Sequence, residues 1–128
     1  MTVVGIGLDL IDLDRFTLLY GDADPDLLAR CFTPQELADV ADDVDRVARL
    51  AARFAAKEAV FKALGGAVGI AHTDIEVVHT PSGAAEIRLH GPATDLAKSV
   101  GADRVALSLT HSAGAAAAVA LALYAGPR

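Results

Sequence analysis

The chain has 128 residues, of which 53% are apolar and only 5% aromatic, so it can form one domain whose core is built from small and branched aliphatic side chains. A net charge of −6 argues against sequence-independent binding of nucleic acid, and Cys31, the single cysteine, excludes an internal disulfide and fits a reducing compartment. Neither a signal peptide nor an uninterrupted membrane-spanning stretch is indicated. We therefore expect one domain over residues 1–128, located in the cytoplasm and without a membrane partner.

The first predicted element is a strand over residues 3–10. Apolar side chains occupy one set of alternate positions and Gly5, Gly7 and Asp9 occupy the other, which is the period of a strand. Asp9 therefore projects from the face that the two glycines leave open. This segment lacks the third glycine of a dinucleotide-binding fingerprint, and no Gly-Lys-Ser/Thr follows it, so neither nucleotide-binding motif is present.

Helices are predicted to follow this strand. Residues 11–20 and 26–31 suit short helices. The run TPQE at 33–36 supplies an N-cap, a proline at the first helical position and the glutamate of a capping box, which predicts a helix over 34–40. The longest helix, over 46–64, is rich in alanine, leucine, arginine and lysine and ends at a pair of glycines.

The second half of the chain is predicted to be mostly strands. Two hairpins separated by one helix are expected: 75–78 with 85–89, then the helix 92–100, then 105–109 with 116–124 through a turn at 111–114. The expected fold is α+β, a single domain in which a small, mostly antiparallel sheet packs against one long helix and several shorter ones.

The long helix carries the first candidates for chemistry. Glu58 and Lys62 are four residues apart and share one helix face, while Arg53 and Lys57 lie slightly rotated from that face. Cations beside one carboxylate can hold a phosphate and a metal together. The same spacing also fits an ordinary exposed ion pair between Glu58 and Lys62, and spacing alone leaves both interpretations open.

Asp9 is a second carboxylate that, with Glu58, can bind a divalent cation. Mg²⁺ usually takes one or two carboxylates, with water and substrate phosphates as its other ligands. His111 is a candidate for contacting an anion or transferring a proton. The alternatives are a turn role for Asp9 and an ordinary turn histidine at 111. The other histidines lack metal-ligand spacing and receive no role: His72, His79 and His90.

Four motifs follow one another along the chain: GIGLDL at 5–10 with Arg15-Phe16, RCFTPQE at 30–36, RFAAKEA at 53–59 with KALG at 62–65, and SLTHS at 108–112. In this order they resemble the motifs of holo-acyl-carrier-protein synthases, the small single-domain 4'-phosphopantetheinyl transferases. The resemblance covers nearly the whole chain. It implies the fold of that family and the transfer of 4'-phosphopantetheine from coenzyme A to a serine of an apo acyl carrier protein, with Mg²⁺ as cofactor.

The resemblance also implies roles for single residues in catalysis. Asp9 and Glu58 match the carboxylates that hold Mg²⁺ against the pyrophosphate of coenzyme A. Lys62 matches a lysine that contacts the phosphates near the reacting bond, so Glu58 and Lys62 are the expected catalytic residues. The general base is either Glu58 or a water that it orients.

Further residues match the family's binding positions. Arg53, Gly65 and His111, together with Lys62, are expected to contact coenzyme A. Arg15 matches a basic position that docks the acidic carrier protein. The small members of the family form homotrimers with active sites between subunits, so we expect a homotrimer.

Other interpretations stay open at this point. After the turn at Ser82-Gly83 this chain has Ala84-Ala85 where the family usually has a basic residue and then proline, which leaves the coenzyme contacts of that loop open. The same chemistry can serve a carrier protein of polyketide synthesis. A non-catalytic module that binds coenzyme A or a carrier protein is the main alternative, and a structural subunit with a surface pair between Glu58 and Lys62 is another.

Overall fold

The computed structural model describes residues 1–66 and 68–127. Within these residues the elements run, in chain order, as β1 (Thr2–Asp12), α1 (Leu13–Tyr20), α2 (Pro25–Cys31), α3 (Pro34–Val40), α4 (Arg46–Ala63), β2 (Ile75–His79), β3 (Ala85–Leu89), α5 (Pro92–Ser99), β4 (Arg104–Ser112) and β5 (Ala115–Tyr124). A short 3₁₀ turn, His72–Asp74, precedes β2. The predicted α+β class is confirmed.

Two antiparallel sheets form the β part of the fold. β5 is the central strand of a three-stranded sheet with the order β1-β5-β4, and β2 pairs with β3 in a separate two-stranded sheet. Both predicted hairpins are therefore confirmed. No helix among the described residues is long and apolar enough to cross a bilayer.

Two predicted boundaries were wrong. Ile11 and Asp12 belong to β1 and not to a helix, because both pair with β5, and the Asp12 carboxylate then caps α1 by accepting hydrogen bonds from two backbone N–H groups. His111 and Ser112 pair with β5 as the end of β4, so the turn consists of residues 113–114, both with positive φ. Pairing with β5 therefore sets both boundaries, from a distant segment for β1 and across the adjacent turn for β4.

The long helix α4 packs on the glycine face of β1. A Cβ atom at Gly5 would lie 1.9 Å from the carbonyl oxygen of Ala63, and one at Gly7 would lie 1.8 Å from that of Ala59. The neighbouring strand β5 continues this smooth surface with buried alanines at 116, 118, 120 and 122. Small residues thus bring the α4 backbone directly onto the strand that carries Asp9.

The opposite face of the sheet is apolar and exposed. Ile6, Leu8 and Leu10 of β1 are 66%, 65% and 71% exposed, and their partners in β5 are Leu121, Val119 and Ala117. Because the glycine face is covered by α4, the large side chains of β1 point away from the core. An exposed apolar patch of this kind is typical of an interaction surface.

Candidate active site

The two predicted metal-binding carboxylates line one cleft. Asp9 from β1 and Glu58 from α4 face a cavity of about 440 Å³ that also includes Arg15 and Phe16 of α1 and the ring of Phe54. The side chains of Asp9 and Glu58 are 18% and 33% exposed. The close contact between α4 and the glycine face of β1 places them at the same edge of the fold.

Lys62 forms an ion pair with Asp9 beside the cleft. Its Nζ lies 3.1 Å from Asp9 Oδ1 and donates to the carbonyl oxygen of Leu8 at 2.8 Å. Glu58 instead accepts a hydrogen bond from His72 Nε2 at 2.9 Å. Among the described residues, Glu58 and Lys62 therefore do not form an ion pair with each other. This removes the interpretation of the two residues as a simple surface ion pair along the helix.

His72 does not line the cleft but contacts Glu58, and sequence reasoning missed it. Its ring stacks on Phe54 with centroids 4.9 Å apart and an interplanar angle of 18°, and it meets the edge of Phe61 at 5.1 Å. The 3₁₀ turn brings His72 back over α4, where Glu58 lies. No motif or ligand spacing in the sequence signals this contact.

Lys57 does not take part in the cation group that the helix spacing suggested. It is fully buried, and its Nζ donates to Glu36 Oε1 at 2.7 Å and to the carbonyl oxygens of His72 and Ile75. Burial lowers the pKa of Lys57, and the charge of Glu36 opposes that shift. The expectation that Lys57 helps to hold a phosphate was wrong, because a buried ammonium needs these oxygen partners itself.

Arg53 is also buried, at 1% exposure. Its guanidinium donates to His79 Nδ1 at 3.2 Å and lies 3.7 Å from Asp39 Oδ2, and its Nε has no hydrogen-bond partner among the described residues. Burial, followed by the nearby charge of Arg49, lowers the pKa of Arg53. Its predicted contact with coenzyme A stays a prediction.

The remaining predicted residues lie around the fold as follows. Arg15 is exposed on α1 and lines the cleft. Gly65 follows α4 in a left-handed conformation, with φ of 87°, and is exposed. His111 is exposed on β4 and opposite Ala116, on the far side of β5 from β1. Neither Gly65 nor His111 lines the cleft of Asp9 and Glu58.

The donor set of the cleft fits a hard divalent cation that shares its coordination with a substrate. No group of three or more histidine, cysteine, aspartate or glutamate side chains that could hold a metal is found among the residues described. Three carboxylate residues in the described part of the chain line the cleft, and one of them, Asp12, caps α1. Asp9 and Glu58 remain, which is the number that Mg²⁺ takes where substrate phosphates and water supply the other ligands.

Comparisons with known proteins agree with the geometry. A sequence model of the 4'-phosphopantetheinyl transferase superfamily matches residues 5–120. The holo-[acyl-carrier-protein] synthase of Anaeromyxobacter sp. (strain K) is 41% identical over 98% of this chain and 99% of the relative. That of Beutenbergia cavernae is 42% identical over 94% and 97%.

Solved structures give the same result. The synthase of Neisseria meningitidis has a TM-score of 0.82 at 33% identity and covers 95% of this chain and 99% of its own. The Helicobacter pylori synthase, solved in complex with coenzyme A, has a TM-score of 0.77 at 28% identity and covers 90% and 96%. The chain therefore belongs to the 4'-phosphopantetheinyl transferase superfamily and, within it, to the holo-[acyl-carrier-protein] synthases.

Proposed function

We propose that this enzyme transfers the 4'-phosphopantetheine group of coenzyme A to a serine of an apo acyl carrier protein. The observation that carries the proposal is the cleft in which Asp9 and Glu58 lie together, with Lys62 bound to Asp9. The holo-(acyl-carrier-protein) synthase of Bacillus anthracis was solved in complex with CoA (3',5'-ADP). The compound 3',5'-ADP is the product expected to leave in this reaction.

The reaction is a phosphoryl transfer, which depends on positioning and on stabilising charge at the phosphate oxygens. The serine oxygen bonds to the β-phosphorus, the bond from that phosphorus to the bridging oxygen breaks, and 3',5'-ADP leaves with that oxygen. The serine proton goes to Glu58 or to a water that Glu58 orients. Lys62, with half of its side chain exposed, donates to the phosphate oxygens or protonates the leaving group.

Asp9 and Glu58 would hold Mg²⁺ in this site. A bound Mg²⁺ supplies positive charge that neutralises the pyrophosphate and orients it. Asp9 belongs to β1 and Glu58 to α4, so the two carboxylates that would hold the cation come from two different elements of the fold. Lys62 beside Asp9 keeps that carboxylate from being an isolated charge in the absence of substrate.

The binding of coenzyme A is proposed to involve Arg53, Gly65 and His111 in addition to Lys62. Neither Gly65 nor His111 borders the cleft within one chain. We therefore propose that they act in a site completed by a second copy. In such an arrangement the nucleotide end of coenzyme A would lie at the boundary between copies.

A homotrimer would provide that boundary. The exposed apolar face of Ile6, Leu8 and Leu10 supports the proposal, because such side chains gain about 25 cal/mol for each Å² of apolar surface that association buries. Sedimentation velocity should give three times the chain mass for the wild type and a smaller species for Leu8→Lys. A Leu8→Lys protein that still sediments as the trimer would contradict this interface.

Arg15 is proposed to dock the carrier protein. It is exposed on α1 at the rim of the cleft, where a cation can attract an acidic partner although the whole chain is negatively charged. Carrier proteins of fatty-acid synthesis and of polyketide synthesis are both candidate partners. Cys31, which is free and buried, suits the cytoplasm as the location, and that stays a prediction.

The test of the function is the intact mass of an apo acyl carrier protein after incubation with the enzyme, coenzyme A and Mg²⁺. We expect a gain of one phosphopantetheine group that EDTA prevents. Glu58→Gln should lower the rate by about a hundredfold or more with an unchanged circular dichroism spectrum. Absence of the gain on fatty-acid and polyketide carriers alike would favour the non-catalytic binding module. A Glu58→Gln protein that is unfolded would place Glu58 in structure and not in catalysis.

A further inference from the structure

Glu58 has a protein partner that the proposed chemistry does not use. Its Oε1 lies 2.9 Å from His72 Nε2, and both side chains are about one-third exposed, at 33% and 30%. An ionised carboxylate only accepts hydrogen bonds, so the imidazole donates through Nε2. The contact joins α4 to the 3₁₀ turn that precedes β2.

His72 is itself held in place from three directions by α4. Its ring stacks on Phe54 at 4.9 Å and meets the edge of Phe61 at 5.1 Å, and its backbone carbonyl accepts a hydrogen bond from Lys57 Nζ at 2.9 Å. Lys57 is fully buried and ion-paired with Glu36, so its ammonium group is held in one position where it donates to His72. The imidazole therefore presents Nε2 at a fixed place beside Glu58.

We propose that His72 is a positioning residue that holds the Glu58 carboxylate in the orientation needed to bind the metal. A glutamate with three rotatable side-chain bonds loses much conformational freedom when it becomes a ligand, and a partner that fixes it beforehand reduces that cost. Partners of this kind usually change metal affinity or activity by about 10–100-fold when they are removed. The proposal rests on the metal-binding role of Glu58 given above.

Two substitutions separate the hydrogen bond from the ring stacking. His72→Phe keeps an aromatic ring between Phe54 and Phe61 and removes the donor. His72→Gln removes the ring and restores an N–H donor close to the position of Nε2. The matched control is His90→Phe, because His90 Nε2 makes the same kind of contact with Glu76 Oε1, at 3.1 Å, and Glu76, unlike Glu58, does not line the cleft.

The experiment measures Mn²⁺ affinity in the presence of coenzyme A by electron paramagnetic resonance, together with kcat and the KM for the carrier protein. We expect His72→Phe to weaken Mn²⁺ binding and lower kcat by about tenfold, with the KM for carrier and the circular dichroism spectrum unchanged. His72→Gln should recover both to within about threefold of the wild type. His90→Phe should match the wild type in both.

Mn²⁺ affinity and kcat of His72→Phe equal to those of the wild type would overturn the positioning role. Equal losses in His72→Phe and His72→Gln would also overturn it, because the donor would then contribute nothing. A failure of the proposed function has a different signature. In that case the wild type itself would show neither transfer nor Mn²⁺ binding, or Glu58→Gln would keep both.

Discussion

Adding one methyl group at Gly7 tests whether the close contact between β1 and α4 positions the active site. A Cβ at this position would lie 1.8 Å from the carbonyl oxygen of Ala59, whereas ordinary contact begins near 3.4 Å, so the helix must retreat by about 1.6 Å. The obstacle is backbone and cannot rotate away. We therefore expect Gly7→Ala to lower the free energy of unfolding by about 3 kcal/mol, at the upper end of the usual cost of overpacking.

The same displacement should move Asp9 away from Glu58. Asp9 follows Gly7 by two residues on β1, and Glu58 immediately precedes Ala59 on α4. A misplacement of 1 Å can cost about a hundredfold in rate, so the transfer rate should fall by about that factor even where the protein remains folded.

Urea unfolding and the carrier-protein mass assay measure the two effects on one preparation. The matched control is Gly101→Ala, because a Cβ there meets nothing within 4 Å and only its φ of +82° opposes alanine. That variant should lose about 1–2 kcal/mol and keep full activity. A Gly7→Ala protein whose free energy of unfolding stays within about 0.5 kcal/mol of the wild type, which is the usual effect of a surface substitution, would refute the reasoning.

Three further predictions concern the buried charges and the docking surface. Lys57→Met should destabilise the fold by about 3–5 kcal/mol in urea unfolding, because it leaves the buried Glu36 carboxylate without its cation, and adding Glu36→Gln should recover part of the loss. Burial raises the pKa of Glu76, but hydrogen bonds from Thr33 and His90 together outweigh burial and hold that pKa below its usual 4.5. The stabilising effect of the ionised carboxylate is therefore complete above pH 4.5 and is lost as the pH falls through the lowered pKa. Glu76→Gln should therefore cost about 1–3 kcal/mol at pH 7, and the difference from the wild type should shrink in acid. Arg15→Glu should raise the KM for carrier protein on the order of tenfold and leave the KM for coenzyme A unchanged, with Lys98→Glu as a control of equal charge change.

Each of these has a contrary outcome. A loss of less than about 1 kcal/mol for Lys57→Met would show that the buried pair contributes little. Stability curves of the wild type and Glu76→Gln that run parallel from neutral to acid pH would exclude a lowered pKa for Glu76. A change in carrier KM that is equal for Arg15→Glu and Lys98→Glu would mean that the carrier senses only the total charge of the enzyme.

Local sequence patterns predicted several elements correctly. They did not predict contacts between residues that lie far apart along the chain. The capping box of α3 forms as predicted, because Thr33 and Glu36 are three residues apart and satisfy each other's backbone N–H groups. The same Glu36 carboxylate also accepts from Lys57, 21 residues away, and from the backbone N–H of Val77, 41 residues away. No local pattern carries those contacts.

For the strand β1, the alternating pattern of the sequence predicted the two faces but not which of them is covered. Alternation defined its two faces and placed Asp9 with the glycines, which the structure bears out. It did not say which face the helix covers, and here the helix covers the glycine face while Ile6 and Leu8 point outward. The pair of Glu58 with His72 was equally out of reach, because it depends on how a 3₁₀ turn folds back over α4.

The outward apolar face of the sheet also determines what a melting temperature of this protein would mean. If three copies join through Ile6, Leu8 and Leu10, the folded chain is stabilised by mass action, and its apparent stability rises with the concentration of protein. A tenfold dilution would then lower the midpoint of thermal unfolding without any change in sequence. For such a trimer, the stabilities of variants could be compared only at one protomer concentration, and a substitution on that face would change the apparent stability although the residue lies outside the core of the single chain.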